Sequence, residues 1–173
     1  MLQNASHGEA GLVPVIPPLS RPVLIAAVAA KLLLHLPGLF RYGYFRDELY
    51  FLDCARHLGW GYVDCAPLIA VYAKIALLLG GSLPALRILP MLAGAGMVAL
   101  TILIARQLGG GMFAQALAGL TILIAPVHLM IDSILSMNAF EPLYWMGAIL
   151  VMILFFTQHR EELATLNYLK SRK

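Results

Sequence analysis

Charge is scarce in this chain. Only 12% of its 173 residues are Asp, Glu, Lys or Arg, about half the share of an ordinary soluble domain, where roughly 25% are charged. Cysteine is rarer still, with Cys54 and Cys65 alone, which excludes a small secreted scaffold stapled by several disulfides. Both read first as unpaired small hydrophobes, and as a disulfide only if their segment faces an oxidising compartment. Basic runs are absent too: Lys and Arg stand singly except at Lys170, Arg172 and Lys173. The net charge of +3 is therefore an orientation signal beside membrane spans rather than a nucleic-acid footprint, and no nucleic-acid partner is expected. The five histidines show no metal-ligand spacing, so no metal and no cofactor are expected.

What is abundant is apolar. A hydrophobic fraction of 61% and a mean hydropathy of +0.82 describe an integral membrane protein. A span needs about 20 apolar residues, so the length leaves room for a handful of helices and no separate soluble domain. The expected fold class is all-α, a polytopic transmembrane helix bundle.

Residues 1–21 carry Gly8, Gly11, Pro14, Pro17 and Pro18 and read as a flexible leader. The first span is expected over Pro22 to Phe40, with Lys31 and His35 four apart on a face that packs on protein. From Arg41 to Pro67 the chain is mixed. Asp47 to Leu58 has helical periodicity through Phe51, Cys54, Ala55 and Leu58, which fits an amphipathic interfacial helix with Trp60 and Tyr62 as anchors. Leu68 to Leu79 is apolar but short for a span, so a re-entrant or interfacial helix closed by Gly80 and Gly81 is expected. Ser82-Leu83-Pro84 starts the second span, which runs to about Ala105. The third covers Met112 to Ile131, kinked near Pro126. The fourth runs from Ala139 to Thr157, with Asn138 and Glu141 spaced as a capping box, and residues 158–173 form a charged tail.

Counting cations beside span ends puts Arg21, Arg106, Arg160, Lys170, Arg172 and Lys173 on one side, which the positive-inside rule makes cytoplasmic. Both termini then face inward and the loop 41–67 faces outward. Asp47, Glu48, Asp53, Asp64, Asp132 and Glu141 gather on the outward side. A chain this poor in charge that collects its carboxylates at one face has a polar site there. Ionisable groups tracking a path across the membrane would instead mark a transporter.

Within that site, acids at Asp47 and Glu48 in a first helical turn would complement the helix dipole by about 0.3–1 kcal/mol and nothing more. Arg46, Arg87, His128, Asp132 and Glu141 at the same side add the groups a reaction would need. His57 follows Asp53, and Asp132 follows His128, at four-residue spacing, which is commonly surface pairing.

FRDELYFLDCARHLGWGYVDCAPLIAVYAKIALL, LPALRILPMLAGAG and SMNAFEPLYW occur in that order, and over residues 22–157 the chain resembles the N-terminal portion of GT-C type polytopic glycosyltransferases. The group includes the bacterial aminoarabinose transferases and the protein O-mannosyltransferases. The resemblance implies transfer of a sugar from a polyisoprenyl-phosphate donor to a lipid or protein acceptor at the outer face of a bacterial inner membrane. It matches the acidic catalytic motif to Asp47 and Glu48, with Asp47 as the base that takes the acceptor proton. Arg46, His57, Asp64 and Arg87 are the expected donor-phosphate and substrate contacts, and His128, Asp132 and Glu141 the outer-face support. The chain departs from its relatives at Cys65-Ala66, where a basic residue or His followed by proline is usual. Transferases of this type also continue through further spans, so a C-terminal portion or an oligomer is expected to complete the groove. The alternative is a non-catalytic membrane protein that binds lipid-linked sugar or serves as an assembly partner.

Overall fold

The structure is a computed structural model that describes residues 16–171. The first fifteen residues of the expected leader, and Arg172 and Lys173 of the basic tail, lie outside that range. All regular structure among the described residues is helical: α1 Arg21–Phe40, α2 Arg46–Arg56, α3 Pro67–Leu78, α4 Leu83–Gln107, α5 Met112–Ile124, α6 Pro126–Ile131 and α7 Met137–Ser171.

Three helices are long and apolar enough to cross a membrane: α1, α4 and the Met137–Arg160 part of α7. The chain is a membrane protein. With no water in the hydrocarbon core, a spanning segment must satisfy its backbone polar groups, and a helix does so within the segment itself.

Local chemistry sets the boundaries. Pro67 and Pro126 sit in the first turns of α3 and α6, where a missing N–H costs nothing. Pro126 also holds Ala125 in the extended region, at ψ 119°, and this splits α5 from α6 where a single kinked helix was expected. Gly80 and Gly81 close α3 with φ of 104° and 62°, left-handed values that a side chain would resist. Ser82 caps α4 through an Ala85 N–H bond. At α7 the capping residue is Ser136, whose hydroxyl accepts from Asn138 N at 3.3 Å. Asn138 itself lies inside the first turn, so the Asn138–Glu141 capping box does not form. The expected charged tail continues α7 without a break to Ser171.

α4 is the central helix, packed against α1, α3, α5 and α7. Its Gly94 and Gly96 lie against Asp132 with Lys31, and against Leu143, respectively. The small residues expected to suit helix packing are thus where neighbours come closest. The bundle has two distinct ends. At one, Gln115 accepts from Ser20 N at 2.9 Å and donates to Pro18 O at 3.2 Å, while Arg106 donates to Pro17 O at 3.0 Å. The start of α1 is pinned there to the α4–α5 turn. At the other end, α2 and α3 pack on each other and cover the first half of α4 and the start of α7. Phe51, Leu52, Ala55, Ile69, Ala73, Leu86, Leu135 and Phe140 form the apolar core of that end.

Candidate functional site

Asp47, Glu48, Asp53 and Asp64 lie in α2 and the loop before α3, but neighbours in sequence have separate fates. Glu48 is fully buried. Its carboxylate meets Arg87 in a fork, with Arg87 Nε to Oε1 and Nη2 to Oε2 both at 3.1 Å. It also accepts Phe45 N at 2.8 Å and Leu135 N at 3.1 Å. One side chain thus closes the N-terminus of α2, ties down the loop before α7 and neutralises a buried guanidinium. The remaining Arg87 donors go to Gly38 O, Arg41 O and Gly43 O at 2.8, 2.8 and 2.9 Å. These three carbonyls frame Tyr42, a non-glycine residue held at φ 66°, a conformation that costs of order 1–3 kcal/mol and persists only where its surroundings enforce it. Arg87 was expected to hold a donor phosphate. Its fork is instead occupied by Glu48 and by the α1–α2 turn, and it is 4% exposed.

Asp47 points the other way. Its side chain is 41% exposed, and Arg46 Nε donates to it at 3.2 Å from a side chain that is 90% exposed. An open cavity of about 470 Å³ is lined by Arg46, Asp47, Tyr50, Phe51, Asp64 and Met137. The helix N-terminus that carries Asp47 and the loop that carries Asp64 therefore meet across one hollow, where three charged side chains share the lining with Tyr50, Phe51 and Met137. Met137 also walls a second cavity of about 300 Å³, whose other lining residues include Leu68, Tyr72, Phe140, Glu141, Tyr144 and Trp145. That second cavity is almost wholly apolar. Tyr72 stacks on Phe140 with ring centroids 4.2 Å apart, and its hydroxyl meets that of Tyr144. The charged and the apolar hollow have Met137 in common in their linings.

His57 and Asp53 are both exposed, with Nδ1 and Oδ1 4.0 Å apart, and they line a third hollow together with Tyr50, Cys54 and Tyr62. Trp60, expected as an interfacial anchor, is fully exposed. Tyr62 has a local task, bonding to the backbone of Cys54, His57 and Gly59. Next to it, the Tyr50 hydroxyl is pushed up to about 12, first by its hydrogen bond with the Cys54 thiol and then by burial. Burial, followed by the neighbouring Cys54 thiol, pushes the Cys65 thiol up as well.

His128 and Asp132 lie deeper. Asp132 is 1% exposed and forms an ion pair with Lys31 of α1 at 2.8 Å. Lys31 also donates to His128 O at 3.2 Å. His128 Nδ1 stands 3.9 Å from the same carboxylate, and His35 Nδ1 bonds to Lys31 O at 2.9 Å. Lys31 was legible as a group facing the bundle, because a cation in the middle of an apolar span must find a polar partner. That its partner is Asp132, a hundred residues away, was not. Among the described residues, no three His, Cys, Asp or Glu side chains are arranged to hold a metal ion. No known family profile, curated protein or solved structure matches the chain.

Proposed function

We propose that this chain is a membrane glycosyltransferase module that takes a sugar from a polyisoprenyl-phosphate donor, with Asp47 as the base toward the acceptor hydroxyl. The observation that carries the reading is the Met137 wall. A donor of this class joins a charged, hydroxyl-rich head to a long apolar chain, and it needs a polar hollow with a carboxylate directly beside an apolar one. The hollow of Arg46, Asp47 and Asp64 offers charged groups for the first, and that of Tyr72, Phe140, Tyr144 and Trp145 the second.

The division of labour between Asp47 and Glu48 follows from their surroundings. A base must reach its proton within about 3 Å, and Glu48, with both oxygens committed to Arg87 and two backbone N–H groups, has no free lone pair turned toward the hollow. Asp47 is solvated and has only an exposed partner. On this reading the chain crosses the membrane four times, with α5 and α6 together as the third crossing and α2 and α3 at the interface. The acidic end faces outward from a bacterial inner membrane, and both termini are cytoplasmic. Protein or lipid acceptors approach from the outer side.

A second reading has one specific observation in its favour. Holding a leaving phosphate calls for cations, and with Arg87 committed to Glu48, Arg46 is the one cation among the described residues that lines the Asp47 hollow. A module that binds lipid-linked sugar without turning it over fits that shortage.

Transfer from radiolabelled polyisoprenyl-phosphate sugar by the purified chain in proteoliposomes separates the two. Asp47→Asn is expected to reduce transfer by about 10²–10⁴-fold with donor binding and thermal midpoint unchanged. Unchanged transfer would remove Asp47 from the role of base, and saturable donor binding without any sugar release would favour the binding module.

A further inference from the structure

Helical spacing puts Phe140, Glu141, Tyr144 and Trp145 along one face near the start of α7. With Tyr72 of α3 they line the hollow of about 300 Å³. Tyr72 stacks on Phe140, and its hydroxyl bonds to that of Tyr144, so three of the four rings are joined to one another. Glu141 is the one charged residue in this lining among the described residues. No Lys, Arg or His among the described residues lies within ion-pair distance of its carboxylate. The helix dipole does not account for it either, since Glu141 is past the first turn of α7, where an acid is rewarded. An apolar chain in the hollow would leave this carboxylate without a task.

We propose that the hollow between α3 and α7 binds the trimethylammonium headgroup of a phospholipid, with Glu141 as its counter-charge. Aromatic faces attract a cation through their quadrupole, and a hollow this small leaves a cation little room to lie beyond about 6 Å from a lining ring, the reach of that attraction. Hydrogen bonding decides among cations. A primary ammonium brings three donors that need acceptors, and the polar groups of this lining are the carboxylate and two tyrosine hydroxyls already turned on each other. A quaternary ammonium carries no N–H and loses nothing there. Depth decides the source. The hollow lies at the beginning of the membrane-crossing stretch Met137–Arg160, the level at which headgroups surround a span. Headgroup binding requires no sugar transfer, and a headgroup and a donor chain exclude each other from this space.

Trp60→Phe leaves Trp145, in the lining of the hollow, as the one tryptophan of the chain. The full chain with this change, in maltoside micelles, is titrated with choline and with dimethylbutanol, the uncharged isostere in which carbon replaces nitrogen, and Trp145 fluorescence is followed. Choline is expected to bind at least about tenfold more tightly than the isostere. Glu141→Gln, at an exposed position, is expected to remove most of that difference and to leave the affinity for the isostere and the circular dichroism melt unchanged. Equal affinity for the two probes in the unaltered lining would overturn the proposal; the hollow would then select on apolarity alone, and its reading as a seat for the donor chain would stand. A preference that survives Glu141→Gln would overturn the counter-charge, and no saturable response to either probe would overturn the site. Phosphatidylcholine and phosphatidylglycerol are then offered together in the micelles and the intact chain is weighed with its bound lipid. Phosphatidylcholine is expected to be retained preferentially by the wild-type chain and not by Glu141→Gln. Equal retention of the two lipids would overturn the phospholipid headgroup as the occupant.

Discussion

Glu48→Ala is expected to destabilise the fold by about 3–5 kcal/mol, enough to lose most folded protein on extraction from the membrane. The reason lies in what remains after the carboxylate is gone. Arg87 would stay buried with its charge uncompensated, and removing one partner of a buried pair carries a cost of about this size. Phe45 N and Leu135 N would each lose their acceptor, and a buried donor without a partner costs about 1–3 kcal/mol. The double replacement Glu48→Leu with Arg87→Met removes the stranded charge and should recover part of the loss. It cannot recover all, since the carbonyls of Gly38, Arg41 and Gly43 are then orphaned. Asp47→Asn, one residue earlier, is expected to leave the thermal midpoint where it was, because an exposed pair such as Arg46 with Asp47 contributes about 0–1 kcal/mol. Thermal unfolding in detergent, followed by circular dichroism, compares the variants directly. Equal midpoints for Glu48→Ala and wild type would contradict the structural role given to Glu48.

The second large effect belongs to the Lys31–Asp132 pair. Lys31→Met is expected to cost about 3 kcal/mol, at the lower edge of the range for breaking a buried pair. Lys31→Met combined with Asp132→Leu should restore much of the stability, since a matched apolar pair suits this interior at least as well as a matched ionic one. Gly94 gives an independent check from the facing helix. A Cβ there would collide with Asp132 Oδ2 and lie 2.8 Å from Lys31 Cε, so Gly94→Ala must displace the pair or shift α4. Overpacking of this kind costs about 1–3 kcal/mol. A Gly94→Ala variant that melts with wild type would mean that α4 does not lie against the ion pair.

Some of this architecture could be read directly from the chain. The apolar runs around Leu24, Val98 and Ile149 announce membrane helices because length and composition are enough to decide that a segment prefers hydrocarbon. Proline and glycine at 67, 80, 81, 84 and 126 mark helix ends, since their backbone limits act within a few residues. The burial of Lys31 and His35 was legible for the same local reason: a charged face on an apolar helix must turn inward. The capping box at Asn138 failed because Ser136, two residues earlier, supplies the hydroxyl that caps α7.

The site is a different matter. Asp47 and Glu48 are adjacent carboxylates of nearly equal chemistry, and nothing in their order says which is free and which is structural. Helical geometry turns successive side chains about 100° apart, so one enters the bundle and the other leaves it, but which does which depends on where α4 places Arg87. Arg87 itself read as a phosphate ligand because an arginine at the polar end of a span has that capacity. Its use was decided by Glu48 and three carbonyls from another part of the chain. The same holds for Asp132 with Lys31, and for the Met137 wall between the two hollows, each of which joins residues far apart in sequence.

The sequence by itself determined that this protein is helical, lives in a membrane and collects its acids in a few segments, because partitioning into hydrocarbon and backbone restriction are local properties. Only the tertiary structure decided that Glu48 and Asp132 are internal braces and that Asp47 faces an open cavity. Those outcomes depend on which distant partner satisfies a buried charge, and that choice is made when the helices pack.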